Sequence, residues 1–275
     1  MREKYSVLMS LYIKEQPNYL KQSLDSMFLQ TAFPEEIVIV KDGPLTLELE
    51  QILEEYNAQY PGVLQIIPLE QNIGLGRALD IGLSNCQNEL VARMDTDDIS
   101  LKERCAHQIE AFRKDPELAI VGTMIDEFID DPNRIVSSRV VPTETEEIKQ
   151  FIKRRNAFNH PTVMFKKSAV IDSGGYGSLK RRQDIDLFSR MINKGYKARN
   201  LNESLLLFRS NEENFKRRKS WRSCIDTIKA HYRIFKQGNC GISDLFYVAS
   251  SQMFMFISPM WLLKSVSSKY LRVQK

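Results

Sequence analysis

Cysteine and histidine are scarce: four and three of 275 residues. Cys86, Cys105, Cys224 and Cys240 form no C-x-x-C pair and no zinc spacing with the histidines. Reduced, buried thiols in a cytoplasmic protein are therefore expected. The apolar run at the N-terminus, ending at Met9, is too short for a signal peptide, so the chain is expected to stay on the cytoplasmic side. Internal repeats and low-complexity segments are absent. What is present is ordinary for a globular chain, with 43% hydrophobic and 27% charged residues,. The length suits one large domain or two small ones.

Charge is unevenly placed. Residues 214–275 carry twelve Lys/Arg against two acids, Asp226 and Asp244, for a balance of +10. The other 213 residues carry −6. Such a split points to a tail that meets an anionic surface.

Strand and helix signals alternate through the first hundred residues. Tyr5–Leu11, Glu36–Val40, Val63–Ile67 and Leu90–Met94 are short apolar runs expected of buried parallel strands. Helical spacing follows each of the first three: from Pro17 (Leu20, Leu24, Met27, Phe28), over Leu45–Tyr60, and from Gly74 to Leu83. The order β-α-β-α-β-α-β predicts an α/β fold with a parallel sheet covered on both faces.

Chemistry gathers where those strands end. Asp42-Gly43 follows the second strand, Asn72-Ile-Gly-Leu-Gly-Arg77 the third, and Asp95-Thr96-Asp97-Asp98 the fourth. Ends on one edge of a parallel sheet line a common crevice. Neighbouring carboxylates repel unless a cation offsets them, and a hard divalent ion holding a diphosphate supplies that offset. Asp98 or Ser100 capping a helix that starts at Leu101 is the alternative, but one cap explains one acid rather than three. The amides after Gly74 and Gly76 are candidates to face phosphate, with Arg77 adding charge. Two glycines at a helix start are also an ordinary turn.

From about Tyr5 to Phe215 the chain resembles the family 2 glycosyltransferases, inverting enzymes with a GT-A fold. The resemblance rests on Ser6–Tyr12, Ile39–Gly43, Asn72–Gly76 with Ala78, Met94–Ile99, Gly174-Gly-Tyr176 and Gln183–Phe188. It implies a Rossmann-like, mostly parallel central sheet flanked by helices, and bacterial members that build O-antigen, capsule or exopolysaccharide. It also implies site roles. Asp42 binds the uracil ring, Asp95 the donor ribose or sugar, and Asp97 the Mn²⁺ or Mg²⁺ that bridges the diphosphate. Tyr12 borders the nucleotide, Arg77 contacts the diphosphate, and Asp98 takes a supporting or capping position.

The second half supplies the acceptor side. Asn159-His160-Pro161-Thr162 leads into a strand, Gly174-Gly-Tyr176 is expected to be a flexible turn, and Lys180–Gln183 precedes a helix over Ile185–Met191. Asp184 sits at that helix start, where Asp is also a favoured cap. The family pattern places the catalytic base there, after a Glu that is Gln183 in this chain. Loss of that neighbouring acid removes one influence raising the base's pKa. His160 is a candidate acceptor contact, although a His before Pro more often stabilises a loop.

Residues 1–213 read as the catalytic domain, with a nucleotide-sugar half to about 130 and an acceptor half over 131–213. Residues 214–275 read as a helical tail. It opens on the basic Lys216–Lys219 cluster beside Trp221. Leu245–Leu263 then holds 19 uncharged residues, close to the ~20 that span a bilayer, yet its serines, Gln252 and Pro259 make a poor spanning helix. Shallow insertion beside anionic headgroups fits better, with a buried helix under the catalytic domain as the alternative. Expected partners are a nucleotide-sugar donor, a saccharide or lipid-linked saccharide acceptor and an anionic membrane surface, without nucleic acid. Two other classes compete. A nucleotidyltransferase acting on sugar phosphates usually has a Gly-rich basic loop after its first strand, and Ser10–Glu15 has no glycine. A non-catalytic membrane or nucleic-acid binding protein leaves the acidic strand ends unexplained.

Overall fold

The computed structural model describes residues 3–179, 181–210 and 219–259. The first ninety residues alternate as expected: β1 (Tyr5–Leu11), α1 (Pro17–Phe28), β2 (Glu36–Lys41), α2 (Leu47–Gln59), β3 (Leu64–Pro68), α3 (Leu75–Asn85) and β4 (Leu90–Arg93). Thr46 caps α2 by accepting the Leu49 amide at 3.3 Å.

The second half adds β5 (Ile99–Ser100), α4 (Arg104–Lys114), β6 (Leu118–Phe128), β7 (Ser137–Arg139), α5 (Thr145–Phe151), a 3-10 turn (His160–Thr162), β8 (Met164–Lys166), α6 (Lys167–Asp172), α7 (Gln183–Asn193) and β9 (Lys197–Arg209). One sheet runs β3-β2-β1-β4-β8-β6-β9-β5, with β7 paired to β6. The four strands β3, β2, β1 and β4 are parallel. Beyond β4 both directions occur: β8 is antiparallel to β4 and to β6, whereas β9 is parallel to β6.

Side-chain alternation fixes which face of β1 meets which helices. Val7 and Met9 join a core with Leu20, Leu24, Leu49 and Ile109 from α1, α2 and α4, while Leu8 joins Leu79, Leu83, Leu187 and Phe188 from α3 and α7 on the other face. A one-residue slip would exchange the two sets, so the register is strongly specified.

The strand order makes β1 and β4 a switch point. The chain runs outward from β1 to β3, then returns to build β4 on β1's other side. In such sheets the ligand crevice opens beyond the carboxyl ends of these two strands.

One boundary departs from expectation. No helix begins at Leu101, because Ile99 and Ser100 pair as a strand with Leu207 and Leu206, and α4 starts at Arg104. Neither Asp98 nor Ser100 is therefore a helix cap.

Two further helices, α8 (Trp221–Lys236) and α9 (Ile242–Ile257), follow. α8 packs on α7 and α9 on α8. Within α9 only Asp244 and Val248 are buried, whereas Ile242, Phe246, Tyr247, Phe254 and Ile257 are exposed. The expectation of a helix buried under the catalytic domain does not hold for this segment. No helix among the described residues is long and apolar enough to cross a membrane. Phe215, most of the Lys216–Lys219 cluster, Lys180, Met260–Leu263 and the basic residues from Lys264 onward lie outside the described residues.

Candidate active site

β4 delivers the acidic turn to the crevice. Asp95, Asp97 and Asp98 each offer a carboxylate oxygen, and all three lie within 4.8 Å of one another. Asp98 is fully buried. Its Oδ1 accepts the Arg209 amide at 2.8 Å, and its Oδ2 has no hydrogen-bond partner among the described residues. Asp95 pairs with Arg93, itself buried in β4. A fourth acid, Glu15, reaches in from the loop after β1 and accepts the Thr96 hydroxyl at 2.5 Å.

These acids are held close at an electrostatic cost. Burial, then Asp95 and Glu15, push the Asp97 carboxyl up to about 7. Burial, then Asp97 and Asp95, raise Asp98 well above the carboxylate range. Burial likewise raises Glu15. Arg93 opposes the shifts at Asp97 and Asp98 but does not cancel them. An orphaned buried oxygen within an all-oxygen donor set suits a hard divalent cation such as Mg²⁺ or Mn²⁺.

Arg209 locks this turn from the end of β9. Its Nε donates to the Asp97 carbonyl at 2.9 Å, and its guanidinium lies 3.9 Å from the Tyr19 ring centroid and 4.5 Å from that of Phe128.

Asp42 is buried after β2 and closes the loop that opens α3. Its Oδ1 accepts the Ile73 amide at 2.7 Å, and its Oδ2 accepts the Gly74 amide at 3.1 Å and the Asn72 side chain at 3.0 Å. The Gly74 amide is thus already engaged. Gly76 has a packing reason for lacking a side chain, since a Cβ there would stand 3.2 Å from Gln183 Cγ. The start of α3 therefore touches the start of α7. Tyr12 and Arg77 are both exposed, after β1 and in the first turn of α3.

On the other side, Asp184 occupies the first turn of α7, and its Oδ2 accepts the Asn156 side-chain amide at 2.7 Å. It is not the cap: Arg182 holds that position, in the left-handed region. Tyr176 is fully buried, and its hydroxyl lies 3.0 Å from His160 Nε2. Burial raises the Tyr176 phenol, Arg93 opposes, and Asp184, Asp80 and Asp95 add to the rise. Tyr176 thus lies within electrostatic reach of both the expected base and the acidic turn. Burial and Arg93 hold His160 neutral, with its ring edge-on to Tyr176 and Phe188.

The turn expected to be flexible is tied down. Asp80 of α3 accepts the Tyr176 amide at 2.7 Å and the Gly177 amide at 3.1 Å. Arg190 of α7 donates to the Gly175 carbonyl at 2.6 Å and to that of Ser173. Sequence reading missed Glu15, Arg93, Asn156, Tyr176's partners and Arg209. Arg93 was visible as a lone charge within an apolar strand. Arg209 was not, being 111 residues from Asp98.

A switch-point crevice with an acidic turn at the end of β4, continued into a mixed second half, defines a GT-A glycosyltransferase. Comparison with known proteins agrees. The profile described as Glycosyl transferase family 2 matches residues 6–174. The amylovoran biosynthesis glycosyltransferase AmsE of Erwinia amylovora is 37% identical, over 84% of this chain and 84% of that protein. An Escherichia coli enzyme named UDP-Gal:alpha-D-GlcNAc-diphosphoundecaprenol beta-1,3-galactosyltransferase is 32% identical, over 93% of this chain and 92% of that one. Among solved structures, the mannosyltransferase PcManGT of Pyrobaculum calidifontis, in complex with GDP-Man and Mn²⁺, superposes with a TM-score of 0.66 at 14% identity, covering 98% of this chain and 74% of that chain. The chain belongs to glycosyltransferase family 2.

Proposed function

We propose that this glycosyltransferase moves a hexose from a UDP-linked donor to a hydroxyl of a lipid-linked saccharide, inverting the anomeric carbon, during assembly of a bacterial surface polysaccharide. The acidic turn carries the reading: three carboxylates within 4.8 Å, one of them buried with an unpartnered oxygen. Asp97 would hold Mn²⁺ or Mg²⁺, with Asp98 behind it. When bound, that ion neutralises the charge that builds on the leaving diphosphate. Asp95 takes the donor ribose or sugar, Asp42 the uracil, and Tyr12 and Arg77 border the nucleotide and its diphosphate.

Asp184 acts as the base that takes the acceptor hydroxyl's proton, worth roughly two to four orders of magnitude in rate. Its bond from Asn156 orients the carboxylate. His160, neutral beside Tyr176, shapes the acceptor loop. The name of the E. coli relative supports both the UDP donor and the lipid-diphosphate acceptor. The exposed apolar face of α9 and the basic residues of the tail support a position at the cytoplasmic face of the plasma membrane, where such an acceptor resides,.

A thermal-shift panel of UDP-, GDP- and dTDP-sugars with Mn²⁺, followed by assay of the released nucleotide, tests the assignment. Stabilisation by UDP-sugars and release of UDP are expected, whereas pyrophosphate released from UTP and a sugar 1-phosphate, with no UDP released from UDP-sugars, would instead indicate nucleotidyl transfer. Asp184→Asn should still bind donor but lose transfer. Wild-type transfer by that variant would remove Asp184 as the base.

A further inference from the structure

Arg182 is the only non-glycine residue at positive φ among the described residues, at 62°. It stands immediately before α7, two positions ahead of Asp184. Its guanidinium leaves the catalytic half and reaches α8: Nε donates to Thr227 Oγ1 at 3.0 Å and Nη2 to Ser223 Oγ at 3.3 Å. Ser223 and Thr227 are one helical turn apart on a buried face of α8,. Two ion pairs run alongside: Arg181 to Asp226 at 3.7 Å, and Arg233 to the fully buried Asp186 at 3.4 Å. The start of α7 is thereby fastened to α8 at three points.

A left-handed residue without glycine persists only when its surroundings hold it there. Here the hold comes from α8, and the backbone it holds carries the expected base. The rest of α7 has its own anchors, since Leu187, Phe188 and Met191 are fully buried. Releasing the fastening would thus loosen the first turn rather than the helix. Asp42 and the acidic turn follow β2 and β4, away from this fastening, whereas α3 meets it where Gly76 packs on Gln183.

We propose that Arg182 is a positioning residue that, through Ser223 and Thr227, makes α8 a working part of the transfer site by setting the orientation of Asp184. The proposal rests on the reading of Asp184 as the base. It gives the segment after the nucleotide-binding core a catalytic reason to be present, separate from any contact with a membrane.

Arg182→Gly separates the fastening from the backbone, because glycine adopts φ 62° without steric cost,. The milder pair Ser223→Ala/Thr227→Val removes the acceptors and leaves Arg182 in place. Both are compared, in the full chain, with Arg182→Lys and Asp184→Asn. Binding is read with UDP and Mn²⁺. Transfer is read as UDP release from UDP-galactose, UDP-glucose and UDP-N-acetylglucosamine supplied with a synthetic N-acetylglucosaminyl-diphospholipid. For Arg182→Gly and for the Ser223/Thr227 pair, kcat should fall by about ten- to a hundredfold, the scale of a small misplacement of a catalytic group. The UDP and Mn²⁺ dissociation constants should stay within about twofold, so that the loss sits in turnover rather than binding. Arg182→Lys should recover part of the rate. A lowered melting temperature with unchanged kcat in both variants would reduce Arg182 to a structural role and overturn the proposal. Unchanged kcat there beside an inactive Asp184→Asn overturns this inference alone, whereas wild-type transfer by Asp184→Asn overturns it together with the base assignment.

Discussion

Asp97 shares its turn with Asp95 and Asp98, and its carboxyl is raised from 3.8 to about 7. A carboxylate whose pKa is higher folded than unfolded binds more protons in the native state between those values. Without metal, stability therefore falls as pH rises from about 4 to about 7, and the full penalty is present above that window,. Asp97→Asn removes the penalty. Calorimetry without metal should show the variant melting above wild type at pH 8 and close to it at pH 4, with each kcal/mol worth about 2–4 °C for a chain of this size. Mn²⁺ should raise the wild-type melting point more at pH 8 than at pH 6, because it competes with the proton, and should leave the variant unmoved. A variant melting below wild type at pH 8 would contradict this account of the cluster. The acids were legible as a cluster because they are adjacent in sequence. Asp42 was legible as a strand-end residue, but its bonds to Ile73, Gly74 and Asn72 depend on a loop thirty residues away.

The turn between α6 and α7 is a latch between elements. Gly175 has φ 63°, and a Cβ there would lie 2.4 Å from Asp80 Oδ1, the atom that accepts the Tyr176 amide. Gly175→Ala combines backbone strain with a clash and should destabilise by ~1–3 kcal/mol or more in urea unfolding. Gly62→Ala is the control: φ is 81° but nothing lies within 4 Å of the added carbon, so only the backbone part should be lost. Equal losses at the two positions would mean that the Asp80 contact does not hold the turn. Reading Gly174-Gly-Tyr176 as flexible followed from glycine's freedom. The restraint comes from Asp80 on α3 and Arg190 on α7, which only the assembled fold brings to it. Helix and strand positions, by contrast, were largely readable. β5 was not, since a two-residue strand is defined by its partner, β9, and carries no periodicity of its own.

Across the whole molecule, α8 packs on α7 and α9 on α8 while both turn apolar side chains outward. Phe246 and Ile257 are 75% and 73% exposed. If α9 makes the proposed membrane contact, Phe246→Asp/Ile257→Asp should weaken cosedimentation with anionic lipid vesicles, leaving the part owed to the basic residues. Its melting temperature should change little, because substitutions at exposed sites usually shift stability by no more than about 0.5 kcal/mol. UDP binding should be unaffected as well. Undiminished vesicle binding would move the membrane contact to another part of the chain. The charge split between residues 214–275 and the rest was visible from composition, and it pointed to a surface. That α8 also braces the start of α7 was not visible, because Thr227 and Arg182 are 45 residues apart.

By itself the sequence determined the α/β class, the strand ends that carry the acids and the family, because buried parallel strands are continuous apolar runs and their exits are local in the chain. The tertiary structure alone decided which of those acids are raised by burial and by one another, which loops are fastened and which helix faces stay bare. Those properties depend on burial and on partners brought from distant parts of the chain, and neither is written in any single stretch of residues.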